Sequence, residues 1–213
     1  MEKSELLEVL ENYKEKALQR EKNHDLPPRP LTEDETEAVV KGLALDGLDE
    51  EKFTIFETEQ LDQLLIRLIS EEVRRGTFPS SHAKAEGLGE IARGEVESDY
   101  LSAEDALDLL DAMKGGAATS ELIELIAADK FVDQVVEILK DTVLVNPEEF
   151  DRLTELAADN EAVNEVIKSW ANREFAEQWN LEDKYQGVTI KVGDNLTTGH
   201  LSPSKNADSR TDH

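Results

Sequence analysis

The sequence predicts a mainly α chain, a stack of antiparallel helix pairs followed by the first strand and loop of a second unit. Three observations carry this expectation. Apolar residues recur at three- and four-residue spacing over residues 4–179, capping residues and Pro or Gly breakers separate these runs, and at 188–192 the period shortens to two. With 38% apolar but only 5% aromatic residues, a core has to be built from Leu, Ile, Val and Ala on helix faces.

The first run places Leu6, Leu7, Leu10, Tyr13 and Ala17 on one face with Ser4 as its cap, and Pro27, Pro28 and Pro30 end it. Thr32 opens the next helix with Glu35 answering three residues later, and Val39, Val40, Leu43 and Ala44 form its stripe. A stronger helix is expected over 59–75 from Leu61, Leu64, Leu65, Leu68 and Ile69, closed by Gly76 and Pro79. A weaker one centres on Ala85, Leu88 and Ile91. Ser102 and Asp105 start a helix carrying Ala106, Leu107, Leu109, Leu110 and Met113, Gly115 and Gly116 turn the chain, and TSELIELIAAD starts its partner.

Two more helices follow, one through Phe131, Val135, Val136, Ile138 and Leu139, the other from Asn146 and Pro147 through Phe150, Leu153, Leu156 and Ala157. Proline suits the first helical turn, where its missing N–H costs nothing. The last helix is expected over 160–179 with Val163, Val166, Ile167, Trp170 and Phe175. Short connections between successive amphipathic helices favour side-by-side antiparallel pairs, a HEAT-like α-α superhelix without a clean sequence repeat. At 185–196, YQGVTIKVGDNL alternates Val188, Ile190 and Val192 with polar residues, and a lone strand must find pairing partners beyond itself.

Charge excludes several function classes. Against 49 acidic residues stand 23 basic ones, a formal net charge of -26. Such a surface repels nucleic-acid phosphates and anionic membranes, which argues against both as partners, and the plain reading of the charge is solubility. The chain has no cysteine, hence no disulfide, thiolate nucleophile or cysteine-held cluster of its own. No apolar run reaches the length of a bilayer span and the N-terminus MEKSELLEVL is charged, which gives a cytoplasmic expectation. His24, His82 and His213 lack metal-ligand spacing and read as surface residues, and the pairs Glu50-Glu51 and Glu71-Glu72 read as solvated helix faces.

The tail is the specific part. GDNLTTGHLSP at 193–203, followed by Ser209 and Arg210, resembles the aconitase family, whose swivel domain opens with a strand, a stretch like G-D-x-x-T-T-D-H-x-S-P and a nearby arginine. MKGG at 113–116 and KSWANREF at 168–175 resemble its aconitase B branch, in which a HEAT-like domain precedes the swivel and three catalytic domains. The resemblance implies a helical domain over 1–180 and the incomplete beginning of a swivel domain over 181–213. It implies the N-terminal region of a hydro-lyase that interconverts citrate and isocitrate through cis-aconitate in the tricarboxylic acid cycle. The alternative is a stand-alone, non-catalytic interaction module from a truncated relative.

The same resemblance implies a four-iron four-sulfur cluster in the full-length enzyme and none bound by this segment, which is expected to be inactive alone. The implied partners are the remaining aconitase domains, a second copy or another protein, and a tricarboxylate in the full-length enzyme. No catalytic residue is assigned to the chain. Arg210 matches the family arginine that contacts a substrate carboxylate, a role suited to the two-pronged guanidinium. Gly199 departs from the family aspartate, His200, Ser202 and Pro203 shape the loop, and Trp170 and Trp179 are expected to anchor the last helix against the swivel.

Overall fold

The computed structural model describes residues 1–142 and 145–174. Helix α1 (Lys3–His24) buries Leu6, Leu10, Tyr13 and Ala17. Its cap is Glu2 rather than Ser4, because the Glu2 and Glu5 carboxylates satisfy each other's backbone N–H groups and draw Ser4 into the first turn. Helix α2 (Glu33–Gly42) begins at the expected box, with the Thr32 hydroxyl accepting from Glu35 N–H and Thr32 N–H donating to the Glu35 carboxylate at 2.9 Å. These pairs satisfy two of the donors that every helix start leaves open.

Residues 48–58, given no element by the periodicity, and the first two residues of the helix expected over 59–75 form a small hairpin of β1 (Lys52–Thr54) and β2 (Thr58–Gln60), antiparallel with Phe53 opposite Glu59. The expectation of helices alone over 4–179 is corrected here. The signal was short: Phe53 and Ile55 alternate with polar neighbours and are buried, and Thr54 and Thr58 join their hydroxyls across the strands at 2.8 Å. The hairpin takes residues 59 and 60 from the next helix, so α3 (Leu61–Glu71) is shorter than the expected 59–75, while all five residues of its stripe are buried.

Helix α4 (Pro79–Arg93) is the largest departure in rank. Expected to be weak, it is a 15-residue helix that packs against α2, α5 (Ala103–Asp111) and α6 (Ala117–Ala127). Pro79 does not close α3; it is the first residue of α4. Helices α2, α4, α6 and α8 (Pro147–Ala157) pack in succession, with α1 and α3 against α2, α5 against α4 and α6, and α7 (Val132–Lys140) against α6. Helix α9 (Glu161–Asn172) rests on α7 and α8. Alternate helices forming a row, flanked by those between them, is the packing of stacked helix pairs. One continuous apolar core runs from Leu6 to Val166.

The Ser102–Asp105 and Asn146–Glu149 boxes form as read, and Pro147 opens α8. The stripe of α8 is only partly inward: Leu153 is buried, whereas Phe150 is 45% exposed. Between helices, polar groups pin the loops. Leu48 N–H donates to the Tyr100 hydroxyl at 2.9 Å and the Ser98 hydroxyl donates to Leu43 C=O at 2.6 Å, joining the ends of α2 and α4.

The α2–α4 contact depends on Gly87, where a Cβ would run into the Val40 side chain. Valine is stiff at χ1 and buried, so it cannot swing aside. Gly87→Ala is therefore expected to destabilise the chain by about 1–3 kcal/mol, overpacking outweighing the roughly 1 kcal/mol gained in helix propensity. Urea denaturation checks it, and an unchanged or raised midpoint contradicts the close contact.

Candidate functional site

Two of the motifs singled out in the sequence become structural junctions. In MKGG, Lys114, Gly115 and Gly116 take positive φ in succession, 55°, 98° and 63°. This left-handed run reverses the chain between α5 and α6 and brings the start of α6 onto the segment before α4. Ala117 N–H donates to Gly76 C=O at 3.0 Å, and a Cβ on residue 116 would lie 2.5 Å from that same oxygen. Both the dihedral and the approach thus require glycine at 116.

In KSWANREF, Trp170 is half-buried, donates Nε1–H to Leu139 C=O at 2.8 Å and stacks on Phe150 with centroids 6.3 Å apart. These contacts hold α9 to the end of α7 and to α8, so Trp170 anchors the helices to one another. Asn160 caps α9 by accepting from Ala162 and Val163 N–H. Trp179, His200, Ser202, Pro203, Gly199, His213, the strand at 188–192 and Arg210 lie outside the described residues.

Ion pairs organise the charged faces. Arg93 Nη1 donates to Glu121 at 2.6 Å across α4 and α6, with both side chains largely buried, and Arg93 also reaches Glu95. Burial works against the Arg93 charge, but bonds to Glu95 and Glu121 more than offset it and keep the guanidinium charged. Glu121 itself is pushed up by burial, an effect Arg93 opposes without cancelling. Across α1 and α2, Lys16 pairs with Glu35 at 2.8 Å; burial raises Glu35, yet Lys16 and the Thr32 backbone leave it below the usual carboxylate range.

The acidic pairs are less uniform than solvated helix faces. Glu50 and Glu51 lie in a turn, with Glu51 bound to Lys3 at 2.7 Å. Glu72 is partly buried, and burial raises its carboxyl despite the nearby Arg67. His24 and His82 are exposed, as their spacing implied. Among the described residues no group of three or more His, Cys, Asp and Glu could hold a metal ion, and no helix is long and apolar enough to cross a membrane.

One buried group escaped the sequence reading. Lys84 is 5% exposed, on the α4 face it shares with Leu88 and Ile91, and it has no ion pair among the described residues. Burial, helped by the Arg75 guanidinium, lowers its ammonium to about 8. The signal was its position: residue 84 falls four before Leu88 and seven before Ile91, on the inward stripe.

A family model described as the aconitate B N-terminal domain matches residues 12–176. The chain belongs to this family. Curated relatives cover nearly all of it: aconitate hydratase B of Helicobacter pylori (strain J99) is 33% identical over 208 residues, 96% of this chain and 23% of that protein. Aconitate hydratase B of Escherichia coli K12 is 30% identical over 205 residues, and that of Pseudomonas aeruginosa 29%, each over 96% of this chain and 22% of the relative. The chain thus spans less than a quarter of the length of these relatives. The family match takes in the hairpin, the hub helix α4, the glycine junction and Trp170, which makes the helical stack the aconitase B N-terminal unit.

An iron–sulfur cluster does not fit the residues present, since the chain has no cysteine to supply a thiolate. Lys84 gives a test of the electrostatics. Below about 8 the ammonium is protonated in both folded and unfolded chains and its desolvation cost is fully present; between about 8 and its ordinary 10.5 the folded chain releases the proton first, so stability rises with pH. Lys84→Met is expected to stabilise the chain by about 1–3 kcal/mol at neutral pH, with the gain shrinking as pH climbs through that window. Denaturation at pH 7 and at alkaline pH checks it, and a pH-independent difference contradicts it.

Proposed function

We propose that this chain forms the N-terminal helical part of an aconitate hydratase B-type hydro-lyase, which in its full-length form interconverts citrate and isocitrate through cis-aconitate. The observation that carries this reading is the family match over residues 12–176, supported by relatives named aconitate hydratase B that align along 96% of the chain. Residues 1–180 are the helical domain and residues 181–213 the opening of the swivel domain. The helical stack serves assembly with the other domains, shapes access to the active site and offers surface for contact with another protein or a second copy.

The cluster that such an enzyme uses as Lewis acid is held by residues outside this chain, which has no cysteine. Arg210, in the stretch that matches the family signature, contacts a substrate carboxylate in the complete enzyme. The planar guanidinium offers two parallel N–H donors to the two carboxylate oxygens, and an ammonium cannot reproduce that geometry. Gly199 replaces the family aspartate and brings no proton-transfer group.

The test is a chimera in which this chain replaces the corresponding region of the E. coli relative, assayed by hydration of cis-aconitate. The chimera is expected to turn over, the purified 213-residue chain alone to show none, and Arg210→Lys in the chimera to lower kcat/KM by about tenfold or more. Turnover by the isolated chain, or a folded chimera in which Arg210→Lys is silent, contradicts the reading.

A further inference from the structure

The stretch NHDLPPRP at 23–30 ends α1 and carries the chain back along it. Arg20 Nε–H donates to Pro27 C=O at 2.9 Å, and about two helical turns further back the Tyr13 hydroxyl donates to Arg29 C=O at 3.4 Å. Between helix and loop lies a cleft of about 480 Å³, within the size range of small-molecule sites. Lys16, Arg20 and His24, spaced four residues apart, line it along one edge of α1, and Arg29 lines it from the loop.

This lining inverts the charge of the chain. Lys16, Arg20 and Arg29 stand there against one carboxylate, Glu35, whereas acids outnumber bases 49 to 23 in the whole sequence. The groove between α4 and α6 follows the bulk composition instead, with five carboxylates against Arg93. Glu15, Glu21, Asp25, Glu33 and Asp34 adjoin lining residues in sequence, yet all are exposed and none lines the cleft. The fold has sorted charges that the sequence interleaves.

The basic groups are also held in place. The bond to Pro27 fixes Arg20 at Nε, and Pro28 and Pro30 flank Arg29. Proline sets its own φ and turns the residue before it away from the helical region, so the backbone that carries Arg29 is stiff. Lys16 gives one of its three N–H donors to Glu35 at 2.8 Å, and Glu35 in turn accepts from Thr32 N–H at 2.9 Å. Groups ordered before a ligand arrives lose less freedom on binding it.

We propose that this cleft binds a small oxyanion carrying two negative charges, held jointly by Lys16, Arg20 and Arg29, with His24 and Asn23 as further N–H donors. Guanidinium forks match the paired oxygens of a phosphate or a carboxylate, and a compact ammonium adds a point charge. Acids outside the cleft act through water and are screened over about 8 Å at physiological salt, so contacts inside it dominate. The site uses no residue assigned to the hydro-lyase and stands or falls apart from that reading.

Two negative charges on oxygen can come from a phosphate or from a dicarboxylate. Inorganic phosphate and succinate are therefore titrated separately into the 213-residue chain, at constant ionic strength set with chloride. The readout is the NMR shift of Arg20 and Arg29 Nε–H. At least one probe is expected to shift both saturably, and the probe that binds more tightly assigns the source. Arg29 is exposed, so Arg29→Gln keeps the fold, and it is expected to weaken the Arg20 response by about tenfold or more. Lys130→Gln, the same change of charge at an exposed position outside the cleft, is expected to leave that response unchanged. No saturable shift with either probe, or an Arg29→Gln effect no larger than that of Lys130→Gln, overturns the site.

Discussion

Everything in the stack is referred to α4, and α4 reaches its neighbours because two glycine contacts let backbones come close. At Gly87 the helix lies against Val40 of α2, and at the 114–116 turn the start of α6 closes onto Gly76, one short connection before α4 begins. Interiors packed to crystal-like density leave no slack for an added methyl at such points. The rest of the row follows from that spacing: α2, α4 and α6 share one core, α8 extends it, and the helices between them cover its other side. The polar pins, Ser98 on Leu43 and Tyr100 on Leu48, hold the connecting loops to the same frame.

The charge of the chain is distributed around this frame in two ways. Several cations are matched by acids on a neighbouring element, as in Lys16 with Glu35, Arg67 with Glu59, Arg93 with Glu121 and Arg152 with Glu124. The exposed ones, such as Arg152 with Glu124, contribute about 0–1 kcal/mol and chiefly fix how neighbouring faces meet. At Lys84 the matching fails: the side chain is buried in the face of α4 with no ion pair among the described residues. The desolvation of its ammonium weakens the folded chain.

Much of this was legible in the sequence because the physics was local. The Thr32–Glu35, Ser102–Asp105 and Asn146–Glu149 boxes need only four residues to be recognised, and the α3 stripe from Leu61 to Ile69 has an unambiguous period. What escaped depends on distant partners. The 52–60 hairpin is three residues per strand, too short for its alternation to stand out, and it is held by the packing of Phe53 and Ile55 rather than by propensity. Helix α4 looked weak because Gly87 and Gly89 lower its intrinsic preference, yet those glycines are what allow the contacts that stabilise it. Lys84 was passed over because a lysine among small residues reads as solvent-facing until neighbouring helices are in place. The family signature in 193–203 was readable from residue identities alone, whereas the role it implies for Arg210 depends on a substrate and on domains outside this chain.

The central claim, that α4 is the hub on which α2 and α6 are assembled, is tested most directly by native-state hydrogen exchange across a denaturant series. If the claim holds, the amides of 83–92 exchange only through global unfolding, and those of α2 and α6 merge with them into one cooperative unit. Exchange of the α4 amides through a smaller, local opening, while α2 and α6 stay protected, would contradict it.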